Sequence, residues 1–293
     1  MFKVGRRGAG PGSLHRRSWH RRSAGGFPWL KTVGIAGVCA ASATAAPLCT
    51  EPEKPHFVVS TTAGPMTIEL DPRAAPRTIH ELVRLADSGF YDGLTFDYVN
   101  PHVEIFTALR EGDETRFEQE IDAGALGLDR EVVEDEGTAM NVLQDEILES
   151  HKSGRPSTPQ MREWLDRWYA SREADFLVGV SRQQVYEALG YVYESGLASR
   201  PVRRGAVLLK PLSPRFASAR LGLALTDVPE RTGKWMVIGQ VVAGLDTAEA
   251  ISTRPRRRDR HPHKNFTPVE PVVIDALVFS CRRTTSKPRG DKK

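Results

Sequence analysis

Residues 57–101 read FVVSTTAGPMTIELDPRAAPRTIHELVRLADSGFYDGLTFDYVNP, and their apolar runs, glycines and prolines predict the first strands and the first helix. Residues 57–62 and 66–70 are two short runs that are rich in β-branched and apolar side chains. Ala63, Gly64 and Pro65 separate the two runs. A short break of this composition between two such runs predicts a β-hairpin.

A helix is predicted directly after the hairpin. Pro76 suits the first helical turn, where its missing N–H costs nothing. One apolar face follows at spacing i, i+3, i+4, i+7, formed by Ile79, Leu82, Val83 and Ala86. Gly89 is a glycine of the kind that ends helices, and residues 94–99 then read as a further strand.

The order of these elements resembles the start of the cyclophilins, the cyclosporin-type peptidyl-prolyl isomerases. The motifs that carry the resemblance are TTxGxxxIEL at 61–70, AP at 75–76, LAxxGFYDG at 85–93 and FxxVxP at 96–101. A second block supports it, with RGAV at 204–207, GKWMVIGQVVAGLD at 233–246 and a closing strand at 271–281. The resemblance covers 57–129 and 203–281. It implies a mainly β fold, a closed eight-stranded antiparallel barrel capped by two helices.

The segment between the two blocks predicts a helical insertion. Residues 132–149 carry apolar side chains at roughly helical spacing, Thr158-Pro159 reads as the start of a second helix, and Ser181 with Gln184 has the spacing of a capping box. Its aromatic residues are expected in a core rather than in a ligand site. The chain is therefore divided into a basic targeting segment (1–50), the first part of the barrel (51–129), the insertion (130–202), the second part of the barrel (203–282) and a basic disordered tail (283–293).

The positive charge of the chain is concentrated at its start. Of the 41 Lys and Arg residues, eight lie in residues 1–50, which hold no Asp or Glu. The remainder has 33 basic against 37 acidic residues, so nucleic-acid binding through the folded part is not expected. The basic start is followed by a mildly apolar stretch with small residues, as in export signals. We expect a periplasmic or extracellular protein; an N-terminal membrane anchor and a basic tail are the alternatives.

Two cysteines flank the predicted fold. Cys49 precedes the first strand and Cys281 ends the last one. In the resembled fold those two strands are close, so the two cysteines could pair in an oxidising compartment. Two free thiols, or a lipidated Cys49, are the alternatives that the sequence leaves open.

The resemblance also implies where an active site lies, and most of its positions are substituted. The family's donor is an arginine two residues after the Phe of FHRV, and Tyr98 stands there. Val103 stands at the groove phenylalanine, Glu104 at the methionine and Phe106 at the glutamine. In the second block, Ala219 takes the place of a glutamine, Leu221 that of the second groove phenylalanine, and Trp235 that of a histidine.

The expected function follows from the family and from these substitutions. The resemblance implies a peptidyl-prolyl cis-trans isomerase that acts on X–Pro bonds in exported proteins, with proline-containing segments as partners and no cofactor. The loss of the arginine predicts weak or absent activity, because a phenol has neither the charge nor the fork of a guanidinium. The alternative is a non-catalytic module that binds extended or proline-containing peptides. No metal-ligand spacing is present, and His151 stands alone.

Overall fold

A computed structural model describes residues 48–257 and 266–283. Most of the predicted targeting segment (residues 1–47) and of the basic tail (residues 284–293) lie outside the described residues. The strands are β1 Glu53–Thr61, β2 Gly64–Leu70, β3 Phe96–Asn100, β4 Glu104–Thr107, β5 Arg116–Glu118, β6 Ala206–Pro211, β7 Phe216–Ala224, β8 Val237–Ala243 and β9 Ile274–Arg283. The α-helices are α1 Pro76–Asp87, α2 Glu136–Val142, α3 Glu149–Lys152, α4 Pro159–Ser171, α5 Arg182–Ala188 and α6 Leu245–Ser252.

The described strands form one antiparallel sheet in the order β3-β4-β7-β6-β8-β2-β1-β9, and β5 pairs with β7 beside this path. The predicted hairpin is confirmed, since β1 and β2 pair from His56 with Glu69 to Thr61 with Gly64. The two ends of the sheet meet at one isolated bridge, Thr95 with Val273. The sheet is therefore open and curled, with nine strands, and the expected full closure with eight strands is not found.

The main core lies inside the curl of the sheet. Alternate residues of the strands point into it, among them Phe57, Ile68 and Val207, all of which are fully buried. The predicted apolar face of α1 joins this core through Ile79, Leu82, Val83 and Ala86. Helix α6 adds Ala248 and Ile251. Two helices thus cover the interior of the sheet.

The helices of residues 136–188 surround a second core. Its buried side chains include Leu143, Met161, Leu165 and Val185. The predicted capping box is present, because Ser181 and Gln184 exchange side-chain and backbone hydrogen bonds. The helix predicted over 132–149 is found as α2, a π-helical turn at Leu143–Leu148 and α3. Of the aromatic residues expected in a core, Trp164 and Tyr186 are buried there.

A disulfide joins the start of the described chain to its last strand. Cys49 and Cys281 are bonded, with their Cα atoms 5.7 Å apart, so the structure adopts the paired alternative. Within residues 48–257 and 266–283, no helix is long and apolar enough to cross a membrane.

Candidate active site

An irregularity in β3 places two consecutive side chains on the outer face of the sheet. The pairing of β3 with β4 shifts register between Phe96 and Tyr98, as at a β-bulge. Phe96 points into the main core, whereas Asp97 bonds to Arg220 and Tyr98 stacks on Phe266. The residue at the family's arginine position is therefore presented outward.

Tyr98 is packed between two rings. Its ring stacks on Phe266 with centroids 4.7 Å apart and an interplanar angle of 25°, and it meets Phe106 edge-on at 5.8 Å. Burial raises the pKa of Tyr98, although the positive charges of Arg231 and Arg220 oppose this. The phenol is thus neutral at physiological pH. Among the described residues its hydroxyl makes no hydrogen bond, so its O–H is available to a ligand.

Phe106 fills the middle of this face. It is 1% exposed, and its ring contacts that of Trp235 with centroids 5.7 Å apart. Gly222 lies opposite it on β7, and a Cβ built on Gly222 would lie 2.6 Å from Cδ1 of Phe106. The ring therefore occupies the space that a side chain at position 222 would need. We call Tyr98, Phe106, Trp235 and Phe266 the aromatic face.

Two cations border Tyr98. The Lys210 ammonium lies 5.3 Å from the Tyr98 centroid and 5.7 Å from that of Phe106. Arg220 donates from Nε to the carbonyl oxygen of Thr107 at 2.6 Å and from Nη2 to the Asp97 carboxylate. Burial lowers the pKa of both cations. Burial also raises the pKa of Asp97, and the charges of Arg220 and Lys210 counteract that effect.

A buried ion pair closes the other end of the face. Glu104 is 2% exposed, and both of its oxygens accept from the guanidinium of Arg231. The same guanidinium lies 4.2 Å from the Trp235 centroid. Glu104 therefore neither lines a groove nor offers a free carboxylate; instead it anchors the arginine on which Trp235 rests.

Of the residues predicted for the site, the structure brings Tyr98, Phe106 and Trp235 together. Val103 lies half-buried in the turn between β3 and β4, where its carbonyl accepts from the Leu225 amide. Ala219 and Leu221 point into the main core, so their expected place in the groove is corrected.

On β7 the outward positions are Arg220 and Gly222, on either side of the inward Leu221. One residue of displacement exchanges the two faces of a strand. Arg220, Lys210 and Phe266 were also missed. The alternation of apolar and polar residues in RLG at 220–222 was the available signal for Arg220, whereas Lys210 and Phe266 reach the face from separate parts of the chain.

The loop that carries Trp235 is held by the inserted helices. The Lys234 ammonium lies 2.8 Å from Oε2 of Glu146 and 4.5 Å from the Tyr186 centroid. Tyr193 donates from its hydroxyl to the carbonyl oxygen of Gly233 at 3.0 Å. Gly233 has φ +79° and no room for a Cβ beside Leu128. The insertion thus fixes the backbone next to the aromatic face.

Comparison with known proteins identifies the family. The model for cyclophilin type peptidyl-prolyl cis-trans isomerase/CLD matches residues 56–274, and the chain belongs to this family. Two crystal structures of a cyclophilin type peptidyl-prolyl cis-trans isomerase from Cryptosporidium parvum are similar to it. The first, in the presence of the dipeptide Ala-Pro, has 13% identity and a TM-score of 0.45, over 77% of this chain and 98% of that chain. The second has 12% identity and a TM-score of 0.41, over 80% and 99%. No curated protein matches the chain.

The aromatic face can supply ring surface and a small number of donors. The half-buried rings of Tyr98, Trp235 and Phe266 offer apolar contact for a prolyl ring. Tyr98 has a neutral O–H, and the Nη1 group of Arg220 has no partner among the described residues. Within that part of the chain, no group of three or more His, Cys, Asp or Glu residues could hold a metal ion.

Proposed function

We propose that the protein binds X–Pro segments of exported proteins on the aromatic face and isomerises them weakly or not at all. The observation that carries this proposal is the packing of Tyr98, a neutral phenol stacked on Phe266 at the position where the family has its arginine. Membership of the family supports an X–Pro ligand. The substitution is the reason to expect low turnover.

Isomerisation requires more than apolar contact. The barrier of about 18–20 kcal/mol reflects the loss of amide resonance as the bond twists. A protein lowers it by binding the twisted form more tightly than either planar form, with donors aimed at the charge that the twist localises. Tyr98 offers one uncharged donor. Arg220 is charged, but two of its donor groups are already bonded to Asp97 and Thr107, so it is a partial substitute.

A non-catalytic binding module is the second candidate, and the exposure of the rings favours it. Tyr98, Trp235 and Phe266 are half-buried, so each presents part of its ring to solvent. Ring surface of this kind binds proline-containing segments without any donor to the amide nitrogen. The two candidates share a ligand and differ in turnover.

Export is part of the same proposal. The basic and then apolar start of the sequence supports a targeting segment. The bond between Cys49 and Cys281 supports an oxidising compartment, because disulfides persist in such compartments and are rare in the cytosol. Mass spectrometry of the mature N-terminus tests this. Cleavage near residue 46 is expected, and a chain that retains Met1 would contradict it.

An NMR titration tests the ligand. We expect an Ala-Ala-Pro-Phe peptide to shift the backbone amides of Tyr98, Lys210 and Trp235, with smaller effects at α4, which belongs to the second core. The same peptide with Ala in place of Pro is the control and should shift them less. Shifts confined to α4, or none with either peptide, would overturn the proposed function.

A further inference from the structure

We propose that Lys210 forms a subsite for a carboxylate, so that the protein selects X–Pro segments that carry Asp or Glu beside the proline. This depends on the proposed function, since it names the ligand class of the same face. The subsite consists of the Lys210 ammonium above the rings of Tyr98 and Phe106.

Lys210 is held over rings instead of against a carboxylate. Its side chain is half-buried near the end of β6, and both ring contacts are of the cation–π type. In the described part of the chain, no acidic side chain forms an ion pair with it. An ammonium has three donors, so an anion can approach Lys210 without displacing an existing ion pair.

Of the three described cations at the aromatic face, Arg231 and Arg220 each form an ion pair and Lys210 forms none. Arg231 is matched by Glu104, and Arg220 is matched by Asp97. Burial lowers the pKa of Lys210 and the nearby positive charge of Arg220 acts in the same direction, whereas the Asp97 carboxylate opposes them in part. A ligand carboxylate would compensate both effects. In a half-buried position its attraction to the ammonium is less screened than on an open surface.

The position of Lys210 limits which ligand residues it can meet. Its ammonium lies within 6 Å of the Tyr98 ring, and Tyr98 is where the family places the residue that faces the X–Pro bond. Consecutive Cα atoms are about 3.8 Å apart. A side chain that pairs with Lys210 while the proline packs on the aromatic face therefore belongs to a residue adjacent to that proline.

Binding of four labelled peptides to the full-length protein tests the subsite. Glu or its uncharged isostere Gln stands immediately before or immediately after the proline, and fluorescence anisotropy at low salt gives each Kd. At one of the two positions we expect the Glu peptide to bind about fivefold more tightly than its Gln counterpart, within the range of the net contribution of a single hydrogen bond. The ratio should fall towards one in high salt.

Three variants assign the preference to Lys210. In Lys210→Met, which keeps much of the aliphatic stem, the ratio of the two Kd values should fall to about one. In Lys210→Arg, which keeps the charge, the preference should remain. Lys152→Met removes an exposed lysine on α3 and should leave the ratio unchanged.

Other outcomes separate this inference from the proposed function. Equal Kd values for the Glu and Gln peptides in the unmodified protein would overturn the subsite and leave proline binding intact. A preference for Glu that persists in Lys210→Met would also overturn the subsite. Failure of all four peptides to bind would contradict the proposed function itself.

Discussion

The ring of Phe106 lies directly over Gly222, and the two residues are paired across β4 and β7. The ring of Phe106 on β4 fills the space that a side chain at position 222 of β7 would otherwise occupy. It explains why a glycine is present within β7, where glycine is otherwise unfavourable. It also explains why the Phe106 ring, in the middle of the aromatic face, is almost completely buried.

Gly222→Ala should destabilise the protein, because its methyl group would overlap the Phe106 ring. We expect a loss of about 1–3 kcal/mol in the free energy of unfolding, as for other overpacked sites. Urea denaturation measures it. Phe106→Leu in the same protein makes room for the methyl group, so the double variant should be less destabilised than the sum of the two single variants. Strict additivity would show that the two residues do not compete for space.

Removal of Arg231 alone should lower the free energy of unfolding more than removal of both Arg231 and Glu104. Arg231→Met leaves the buried Glu104 without its partner, a change that costs about 3–5 kcal/mol in buried pairs. Glu104→Met together with Arg231→Met removes both charges and should recover much of the stability. Thermal and urea unfolding compare the variants. A single variant as stable as the double variant would contradict the role of Arg231 as the counterion of Glu104.

The preference for Glu peptides should depend on pH through Lys210. A lysine is charged below its pKa, and the pKa of Lys210 is lowered from its ordinary value of 10.5. The preference should thus be present at neutral pH and disappear as the pH rises, before an ordinary lysine titrates. The groups that face Lys210 are Arg220, Asp97 and Tyr98, and the raised pKa of Tyr98 keeps it neutral over this range.

The ratio of the Glu and Gln Kd values, measured from about pH 6 to pH 10, follows this titration. Lys210→Arg is the control, because arginine stays charged throughout that range. A ratio that falls equally in Lys210→Arg would assign the titration to another group.

The inserted helices should restrain the Trp235 loop. Glu146→Gln removes the charge that pairs with Lys234 and, within the insertion, with Arg182. The amides of Lys234 and Trp235 both donate to the carbonyl oxygen of Arg231, and their hydrogen exchange should become faster in this variant. Asp145→Asn, at an exposed neighbouring position, is the matched control. Equal exchange in the two variants would show that the ion pair does not restrain the loop.

Local patterns in the sequence were sufficient for much of the fold. The hairpin at Gly64, the apolar face of α1 and the capping box at Ser181 each depend on neighbours within a few residues, and each is confirmed. The extent of barrel closure could not be predicted from local patterns, because it depends on the pairing of Thr95 with Val273, which are far apart in the chain. Local patterning does not determine such contacts.

The site was predicted less well for two physical reasons. The pleat of β7 has a period of two, and the motif resemblance did not determine which face of the strand Ala219 and Leu221 occupy. The charges of the face come from four separate strands and a loop, and only folding brings Lys210 beside Tyr98. Tyr98 itself could be identified, because it lies in a contiguous motif.

We propose that the cyclophilin-type scaffold is retained while its catalysis is weak or absent. A protease-coupled assay of cis–trans isomerisation on Ala-Ala-Pro-Phe, with an active cyclophilin measured alongside, tests this claim most directly. We predict a rate close to that of the uncatalysed peptide, and a higher rate for Tyr98→Arg, which restores the charged donor. A rate for the unmodified protein equal to that of the active cyclophilin would contradict the account.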